Sequence, residues 1–310
     1  MNLVFCGTPE FAVPTLEALA ELFTVKLVVA QPDRPRGRGM EVVAPAVKRL
    51  AQKLGIPVTQ PEKIRDNDEF RAQLRAITPD AIVVVAYGRI IPQWMIDLPP
   101  LGNINLHASL LPKYRGAAPI QWAIANGETV TGATTMRIDG GLDTGPMLLR
   151  REVEIGANEA SSALAPRLAT IGAELMIETL HGLRSGTITP QAQDNSQATL
   201  APLLRKEDGL IDFKLSAQEI YNRFRAFQPW PGAYTSFRGK SVKAIAIRPV
   251  EGIAVLSPGE ILFKGNQLLA GCGDNSVIEF LELQPESRKP ISATEFARGM
   301  RFQSGDHCGA

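Results

Sequence analysis

Short, continuous apolar runs separated by helical patterns restrict the fold of the first two hundred residues more than any other feature. The runs are LVFCG, VKLVVAQP, AIVVVAY and GNINLHASLLP. Helical patterns at 9–22 and 45–54 lie between the earlier runs. Strands that are buried on both faces of a parallel sheet have continuous rather than alternating apolar residues. We therefore predict that this part of the chain is an open α/β domain with a mostly parallel sheet.

Three helix starts carry recognisable capping signals. Thr8, which precedes Pro9, is placed to cap the first helix. Two Ser/Glu pairs have the spacing of a capping box and predict helices at 216–227 and just after residue 292. These pairs are Ser216 with Glu219 and Ser292 with Glu295.

The chain has 310 residues, which is long enough for two domains. A helical pattern at 158–183 is followed by a stretch rich in Gly, Pro, Gln, Asn and Thr, which is typical of a linker. Short strand patterns separated by turn signals come after it. We predict an α/β domain at 1–189, a linker at 190–206 and a small antiparallel barrel at 207–310.

Composition excludes several classes of protein. The formal net charge is +1, so any nucleic-acid surface must be local. No apolar run approaches the roughly 18 residues of a membrane span, and no signal-peptide pattern is present. The widely spaced Cys6, Cys272 and Cys308 suit a reducing compartment, and with three scattered histidines they predict no metal site. We expect a cytoplasmic protein without a membrane partner.

The run at 102–112 carries polar residues at alternate positions. In an extended chain, Asn105, His107 and Ser109 would share one face. Because open parallel sheets bind ligands beyond the carboxyl ends of their strands, this end is a candidate active site. A solvated strand end is the alternative.

A second polar cluster lies in MRIDGGLDTGPML, where glycines surround Asp143. A plain turn explains Asp and Gly residues equally well. If this loop faces the end of the strand that carries His107, a carboxylate and an imidazole would form an acid/base pair.

Together, these motifs resemble the folate-dependent formyltransferases. The resemblance rests on Asn105, His107, SLLPKYRGAAPIQWAI and Asp143 in GLDTG. It extends along nearly the whole chain through FCGTPEFAVPTLEAL, QPDRPRGRG, AYGRIIP and RAFQPWPGAYT. It implies an α/β fold with a Rossmann-like, mostly parallel sheet followed by a small OB-like barrel, and it suggests a monomer.

The resemblance implies formyl transfer from 10-formyltetrahydrofolate to the α-amino group of methionine on initiator tRNA. Attack by an amine places negative charge on the formyl oxygen, which hydrogen-bond donors stabilise. We expect Asn105 and a protonated His107 to be those donors, and Asp143 to hold His107 protonated and help move the proton. Ser109 lacks the partners of a nucleophilic triad, so we expect it to shape the loop.

The resemblance also implies that the folate lies on loop backbone, which suits glycines and small apolar residues. A strand that simply ends in a glycine turn is the alternative for AYGRIIP. The predicted folate-binding residues are Gly88, Arg89, Ile90, Ser109, Leu110, Leu111, Pro112, Ile138, Asp139, Gly140, Gly141 and Leu142.

Basic residues predict two tRNA surfaces. The first is the Pro- and Gly-rich segment with Arg34, Arg36 and Arg38, which we expect to be irregular and to grip the acceptor end. A solvated loop is the alternative. The second lies within 205–248, where nine basic and four acidic residues give a net charge of +5. Its predicted tRNA contacts are Lys206, Arg223, Lys240 and Lys243.

Aromatic residues accompany the second basic surface. Phe227, Trp230 and Tyr234 could stack on bases, but core packing is the preferred interpretation.

Three rival functions remain open at this point. A formyltransferase for a small amine would need no arginine-rich segment. A formyltetrahydrofolate hydrolase would not need a basic C-terminal surface. A non-enzymatic RNA-binding protein would not need Asn105, His107 and Asp143 together.

Overall fold

The computed structural model describes residues 1–36, 41–251, 255–303 and 305–309. The chain forms two compact units. Unit 1 comprises Met1–Pro119, Val130–Glu154 and Leu164–Pro202. Unit 2 comprises Ile120–Thr129, Ile155–Ala163 and Leu203–Ala310. Two segments that precede the predicted linker therefore belong to unit 2.

Up to residue 202, strands and helices alternate along most of the chain. The strands are β1 (Asn2–Gly7), β2 (Thr24–Val29), β3 (Arg34–Arg36), β4 (Glu41–Val43), β5 (Val58–Thr59), β6 (Ala81–Val85), β7 (Asn103–His107), β8 (Arg115–Gly116), β9 (Val130–Arg137), β10 (Met147–Glu154) and β11 (Leu200–Ala201). The helices are α1 (Val13–Leu22), α2 (Ala46–Lys53), α3 (Asp68–Ile77), α4 (Gln93–Ile96), α5 (Pro119–Ala125) and α6 (Ser161–Ser185).

Seven strands form the central sheet of unit 1 in the order β10-β9-β7-β6-β1-β2-β5. The pairs from β7 through β5 are parallel, whereas β9 is antiparallel to both β7 and β10. The α/β prediction with a mostly parallel sheet is confirmed. Both faces of β1 are buried, since Phe5 packs in one apolar cluster and Cys6 in another. This explains why the strand sequences are continuously apolar.

The predicted cap at Thr8 is wrong. The Thr8 hydroxyl donates to the Tyr87 carbonyl at 3.1 Å and accepts the Gln31 N–H at 3.4 Å. A short 3₁₀ turn at Glu10–Ala12 precedes α1 and has no side-chain cap. Tertiary partners just after β2 and β6 therefore bind the hydroxyl that the local pattern assigned to the helix.

Unit 2 contains the remaining strands and helices. They are α7 (Ala217–Ala226), β12 (Ala233–Phe237), β13 (Lys240–Val250), β14 (Ile261–Lys264), β15 (Gln267–Gly271), β16 (Val277–Pro285), β17 (Ile291–Ser292) and α8 (Ala293–Met300). Capping boxes open α7 and α8 as predicted, with Ser216 bonded to Glu219 and Ser292 to Glu295.

The antiparallel sheet of unit 2 has the strand order β12-β13-β16-β15-β14, with β17 added to β16. The C-terminal segment joins its two edges. The Gly309 N–H donates to Ser236 O on β12 at 2.9 Å, and the Ile261 N–H on β14 donates to Asp306 O at 2.9 Å. This closure confirms the predicted small OB-like barrel. None of the helices in the described ranges is long and apolar enough to cross a bilayer.

Candidate functional site

The polar strand β7 ends at His107, earlier than its alternating pattern suggests. Ser109 therefore lies in the bend after the strand, and the prediction that it continues the polar face is wrong. Its hydroxyl donates to the Lys113 carbonyl at 2.6 Å. This contact supports a loop-shaping role for Ser109.

His107 is buried, and both ring nitrogens have defined neighbours. Nε2 lies 2.8 Å from the Tyr114 carbonyl oxygen, and because a carbonyl only accepts, Nε2 carries a proton. Nδ1 lies 3.7 Å from Asp143 Oδ2. Nε2 therefore fixes the orientation of the ring, and Nδ1 is directed toward the Asp143 carboxylate.

Asp143 lies on the loop that joins β9 to β10. Its backbone is left-handed, with φ of +51°, and its Oδ2 accepts the Gly116 N–H at 2.8 Å. Asp139 folds the same loop by accepting the Gly141 N–H at 3.0 Å and the Thr144 hydroxyl at 2.7 Å. The loop leaves β9 beside the start of β7, where the Ile138 N–H donates to Asn103 O, and it folds back so that Asp143 lies close to His107.

Asn105 lies two residues before His107 on β7 and therefore on the same face of the sheet. Its side chain is half-buried and makes no hydrogen bond with any residue in the described part of the chain. The amide is thus available to donate to a ligand at the carboxyl end of β7.

Two exposed aliphatic side chains lie on the loops that follow the strands on either side of β7. Ile90 is 82% exposed on the loop after β6, and Leu142 is 62% exposed on the loop after β9. Strands β6 and β9 are the two neighbours of β7. The loop after β6 turns at Gly88, where φ is +80°. Arg89 fixes this loop by donating to Gln31 Oε1 at 3.0 Å and to the Glu62 carbonyl.

The other predicted folate residues have varied surroundings. The Leu111 side chain is buried against Met136 and Met147, so only its backbone is available. Leu110 and Pro112 are half-buried. The set is completed by Ile138, whose N–H donates to Asn103 O at 2.8 Å, and by the exposed Gly140 and Gly141.

Sequence reasoning missed four residues that hold the site together, namely Arg115, Gln193, Asn195 and Thr199. Gln193 and Asn195 accept hydrogen bonds from the Arg115 guanidinium, and the Thr199 hydroxyl accepts the Tyr114 N–H. Three of these residues lie in the predicted linker, and β11 pairs with β8 in the same region. The composition of the linker carries no local signal for such contacts.

Cysteines take no part in this site. Cys6 and Cys272 are buried and Cys308 is half-buried. Burial raises the pKa of the Cys6 thiol and raises that of Cys272 and Cys308 to about 12. None of these thiols is an available nucleophile at neutral pH. Across the described ranges, no group of three or more His, Cys, Asp and Glu side chains is arranged to hold a metal ion.

The arginine-rich segment is more regular than predicted. Arg34–Arg36 pairs antiparallel with Glu41–Val43 as a short hairpin, so the prediction of an irregular loop is wrong. Cross-strand hydrogen bonds order a segment whose Pro and Gly content indicated a loop. Arg34 is exposed, and the backbone of Arg36 continues the strand. Arg38 lies outside the described residues.

The predicted basic surface of unit 2 has less unpaired positive charge than the net charge of 205–248 indicates. Arg238 pairs with Asp306 at 2.8 Å and Arg248 with Glu279 at 2.7 Å, and both acids lie outside 205–248. Arg223 is half-buried over the Phe227 ring and donates to the Asp208 carbonyl. Within the described ranges, three predicted contacts are exposed and make no ion pair. They are Lys206, Lys240 and Lys243.

The aromatic residues of this surface divide into two groups. Phe227 is buried edge-on against Trp122, as the packing interpretation predicts, whereas Trp230 is 56% exposed, contrary to it.

Comparison with known proteins shows the family to which the chain belongs. Residues 1–180 match the family described as Formyl transferase, and 203–301 match Formyl transferase, C-terminal domain. The chain is 60% identical to methionyl-tRNA formyltransferase of Koribacter versatilis, over all of this chain and 99% of that protein. It is also 60% identical to the protein of that name from Acidobacterium capsulatum, over the full length of both.

Solved structures share the fold at low sequence identity. An N-formyltransferase from Helicobacter canadensis, in complex with folinic acid and dTDP-3-aminofucose, aligns with a TM-score of 0.65 at 19% identity. The alignment covers 91% of this chain and 98% of that one. HypX from Aquifex aeolicus in complex with tetrahydrofolic acid aligns with a TM-score of 0.60 at 16% identity, over 100% of this chain and 50% of that one.

Proposed function

Since this chain belongs to the formyl transferase family, and within it to the methionyl-tRNA formyltransferases, we propose that Asn105, His107 and Asp143 carry its reaction. The reaction transfers the formyl group of 10-formyltetrahydrofolate to the α-amino group of methionine on initiator methionyl-tRNA. The new bond joins the methionine nitrogen to the formyl carbon, and the bond from that carbon to the folate nitrogen breaks. The amine loses one proton and the folate nitrogen gains one.

Asn105 stabilises the charge that develops during attack. Its amide makes no hydrogen bond with another described residue, so it can donate to the formyl oxygen without losing an existing partner. A donor that is already in position when negative charge appears is worth more than one that must reorganise.

His107 and Asp143 move the proton and support the same oxygen. Tyr114 O holds the Nε2 proton, so Nδ1 is the nitrogen that faces the reaction. A proton on Nδ1 is donated to the formyl oxygen, and Asp143 Oδ2, 3.7 Å from Nδ1, supplies the opposing negative charge. Asp143 Oδ2 is oriented by the Gly116 N–H, and Oδ1 makes no hydrogen bond with another described residue. We assign Oδ1 the amine proton, on its way to the folate nitrogen.

The folate lies between the loops after β6 and β9. The exposed Ile90 and Leu142 side chains offer apolar surface to a flat ring on either side of β7. The fixed loop at Gly88 and Arg89 and the exposed backbone at Gly140 and Gly141 supply polar groups to its edge. We keep the full set of predicted folate residues as proposed contacts, with Leu111 restricted to its backbone.

The tRNA contacts remain proposals for each unit by itself. In unit 1, Arg34 on the β3–β4 hairpin, together with Arg36 and Arg38, meets phosphates at the acceptor end. In unit 2, the exposed Lys206, Lys240 and Lys243 position the tRNA through phosphates, and Trp230 is available to stack on a base. Arg223 is already engaged with its neighbours and contributes least.

We retain a catalytic domain at 1–189, a linker at 190–206 and a tRNA-binding domain at 207–310 as the functional division. A monomer in the cytoplasm is our proposal for the assembly and its compartment. The free cysteines among the described residues support a reducing compartment.

The single observation that carries the catalytic proposal is the approach of His107 Nδ1 to Asp143 Oδ2 beside an unengaged Asn105 amide. Formyl transfer from 10-formyltetrahydrofolate to charged initiator tRNA tests it, with uncharged tRNA, charged elongator tRNA, a panel of small amines and water as alternative acceptors. We expect formylation of the charged initiator alone, weakening with salt. Transfer to a small amine or to water would favour a rival enzyme. Nearly normal transfer by Asp143→Asn would refute the assigned roles.

A further inference from the structure

Gln193 joins the Asp143 loop to Arg115, in the segment that holds the His107 ring. Its side-chain nitrogen donates to Asp143 O at 2.8 Å and to Gly145 O at 2.7 Å. Its side-chain oxygen accepts from Arg115 Nε at 3.0 Å and from Arg115 Nη2 at 2.7 Å. Arg115 follows Tyr114, whose carbonyl holds His107, so one amide connects the His107 side of the site with the Asp143 side.

The hydrogen-bonding capacity of this amide is completely used. A glutamine side chain has two N–H donors and an oxygen with two lone pairs, and all four are engaged here. Only one orientation of the amide works, because the reverse would place its NH₂ against a guanidinium and its oxygen against two carbonyls. A carboxylate at this position could still bind Arg115 but could donate nothing to the Asp143 loop.

The backbone conformation of Asp143 requires support from neighbouring contacts. Asp143 has a left-handed backbone, which an L-residue adopts at a cost, and this conformation persists where neighbouring contacts determine it. Gln193 holds the backbone carbonyl of Asp143, while the Gly116 N–H holds its side chain. Arg115, which is buried, therefore anchors both restraints, since Gly116 is the next residue along the chain.

We propose that Gln193 is a positioning residue for formyl transfer, which sets the distance between His107 and Asp143 by locking the Asp143 loop to the segment 114–116, whose Tyr114 carbonyl holds the His107 ring. The inference rests on the proposed catalytic roles of His107 and Asp143. It assigns a function to a segment that composition alone identifies as a linker. Gln193 need not touch either substrate, because it acts through Asp143.

Kinetics of Gln193→Ala and Gln193→Glu test this proposal. Both variants lose the donors to the Asp143 loop, but only Gln193→Glu keeps an acceptor for Arg115. We expect kcat to fall by roughly 10- to 100-fold in both, because a displacement of about 1 Å in a catalytic group has costs of that order. We expect KM for the folate and for the tRNA to change by less than about threefold. Asp194→Ala is the matched control, since the Asp194 side chain lies on the same segment and, among the described residues, binds only Ser196 and Gln197.

A double-mutant cycle with Asp143→Asn separates positioning from general loosening of the fold. If Gln193 acts through Asp143, Gln193→Ala will lower turnover greatly in the wild type and hardly at all in Asp143→Asn. Losses that multiply would overturn the proposal, as would a Gln193→Ala variant with kcat within twofold of the wild type. Rising KM values with unchanged kcat would overturn it too.

Hydrogen exchange adds a readout of structure. The Gly116 amide, which donates to Asp143, should exchange faster in Gln193→Ala while the melting temperature stays near that of Asp194→Ala. Unchanged Gly116 exchange would contradict the proposal. The two hypotheses fail differently: near-normal turnover in Asp143→Asn refutes the catalytic roles, whereas loss in Asp143→Asn without loss in Gln193→Ala refutes only the positioning role.

Discussion

His107 Nδ1 lies 3.7 Å from Asp143 Oδ2, and the opposite nitrogen of the ring is held by the Tyr114 carbonyl. The imidazole is therefore fixed in one orientation, and Asp143 is its partner on the side that faces the reaction. His107 ends β7, whereas Asp143 lies on the loop after β9, so their meeting depends on the fold of that loop and on its contacts with Gly116 and Gln193.

Replacing Asp143 with Asn should separate binding from chemistry. The amide keeps the size of the carboxylate but cannot take up the amine proton, so we expect kcat to fall by about 10²- to 10⁴-fold. Folate binding, measured by fluorescence titration, should change by less than about threefold. Loss of folate affinity in parallel with kcat would indicate that Asp143 shapes the binding site instead.

Replacing Asn105 with Ala should remove one donor to the formyl oxygen. Loss of a single such donor lowers kcat by about 10²- to 10³-fold in other enzymes. We expect Asn105→Asp to be at least as slow, because it places a negative charge where another develops. Single-turnover formylation at saturating substrates measures both. Activity of Asn105→Ala within a few-fold of the wild type would remove Asn105 from the mechanism.

Gly116→Ala should damage the site through the backbone. A Cβ at Gly116 would lie 2.5 Å from the Ala201 carbonyl oxygen, and its φ of +124° is unfavourable for any residue with a side chain. The substitution should separate β8 from β11 and move the N–H that binds Asp143, so we expect kcat to fall at least tenfold, by the sensitivity of catalysis to about 1 Å of displacement.

Gly55→Ala is the control for that substitution. Gly55 also has a positive φ, +69°, but a Cβ there would meet nothing within 4 Å. Formylation kinetics and thermal unfolding of both variants make the comparison. We expect Gly55→Ala to lose some stability and keep wild-type kcat, and equal kinetic losses in the two variants would contradict the argument.

The capping box of α7 should contribute stability that depends on pH. Hydrogen bonds from the Ser216 hydroxyl and N–H lower the pKa of Glu219 below its ordinary value of 4.5. A carboxyl whose pKa is depressed by folding stabilises the fold above its unfolded pKa, and that contribution is lost as the pH falls through the folded pKa. We expect Ser216→Ala to reduce the free energy of unfolding by about 1 kcal/mol at pH 7.

Urea unfolding at pH 7 and near pH 3 measures this effect. The difference between the wild type and Ser216→Ala should shrink in acid. Glu219→Gln keeps a hydrogen-bond acceptor but has no titrating charge. In that variant, the contribution of the capping box to the free energy of unfolding should be the same at both pH values. A constant difference for Ser216→Ala would mean that the hydroxyl acts independently of the carboxylate.

Lysines of unit 2 should reveal their phosphate contacts through salt dependence. Replacing Lys243 with Ala should weaken tRNA binding at low salt and reduce the slope of log K against log salt by about one. Arg248→Ala is the control, because Arg248 is already neutralised by Glu279. Binding measured at several salt concentrations distinguishes them, and identical slopes for the two variants would exclude Lys243 from the interface.

Local patterns predicted part of this structure well. The capping boxes at Ser216 and Ser292 form as expected because each joins residues three positions apart. Continuous apolar runs likewise identified strands buried on both faces of the sheet. Thr8 carried an equally clear local signal, yet its hydroxyl binds partners 23 and 79 residues away.

The net charge of a segment is likewise a local signal that long-range contacts modify. The segment 205–248 has a net charge of +5, but its residues Arg238 and Arg248 bind acidic partners that lie 68 and 31 residues away. A window along the sequence cannot contain such partners, so it overstated the free positive charge.

By itself, the sequence determined the mostly parallel α/β sheet and the helix caps made of neighbouring residues, and it indicated the three side chains that we propose as catalytic. Only the tertiary structure decided that His107 faces Asp143 through Nδ1 and that Gln193 fastens the Asp143 loop to Arg115. The hydrogen bonds of Gln193 span 50 and 78 residues. Contacts of that separation form when strands and loops pack, and they leave no periodic or compositional trace in the chain.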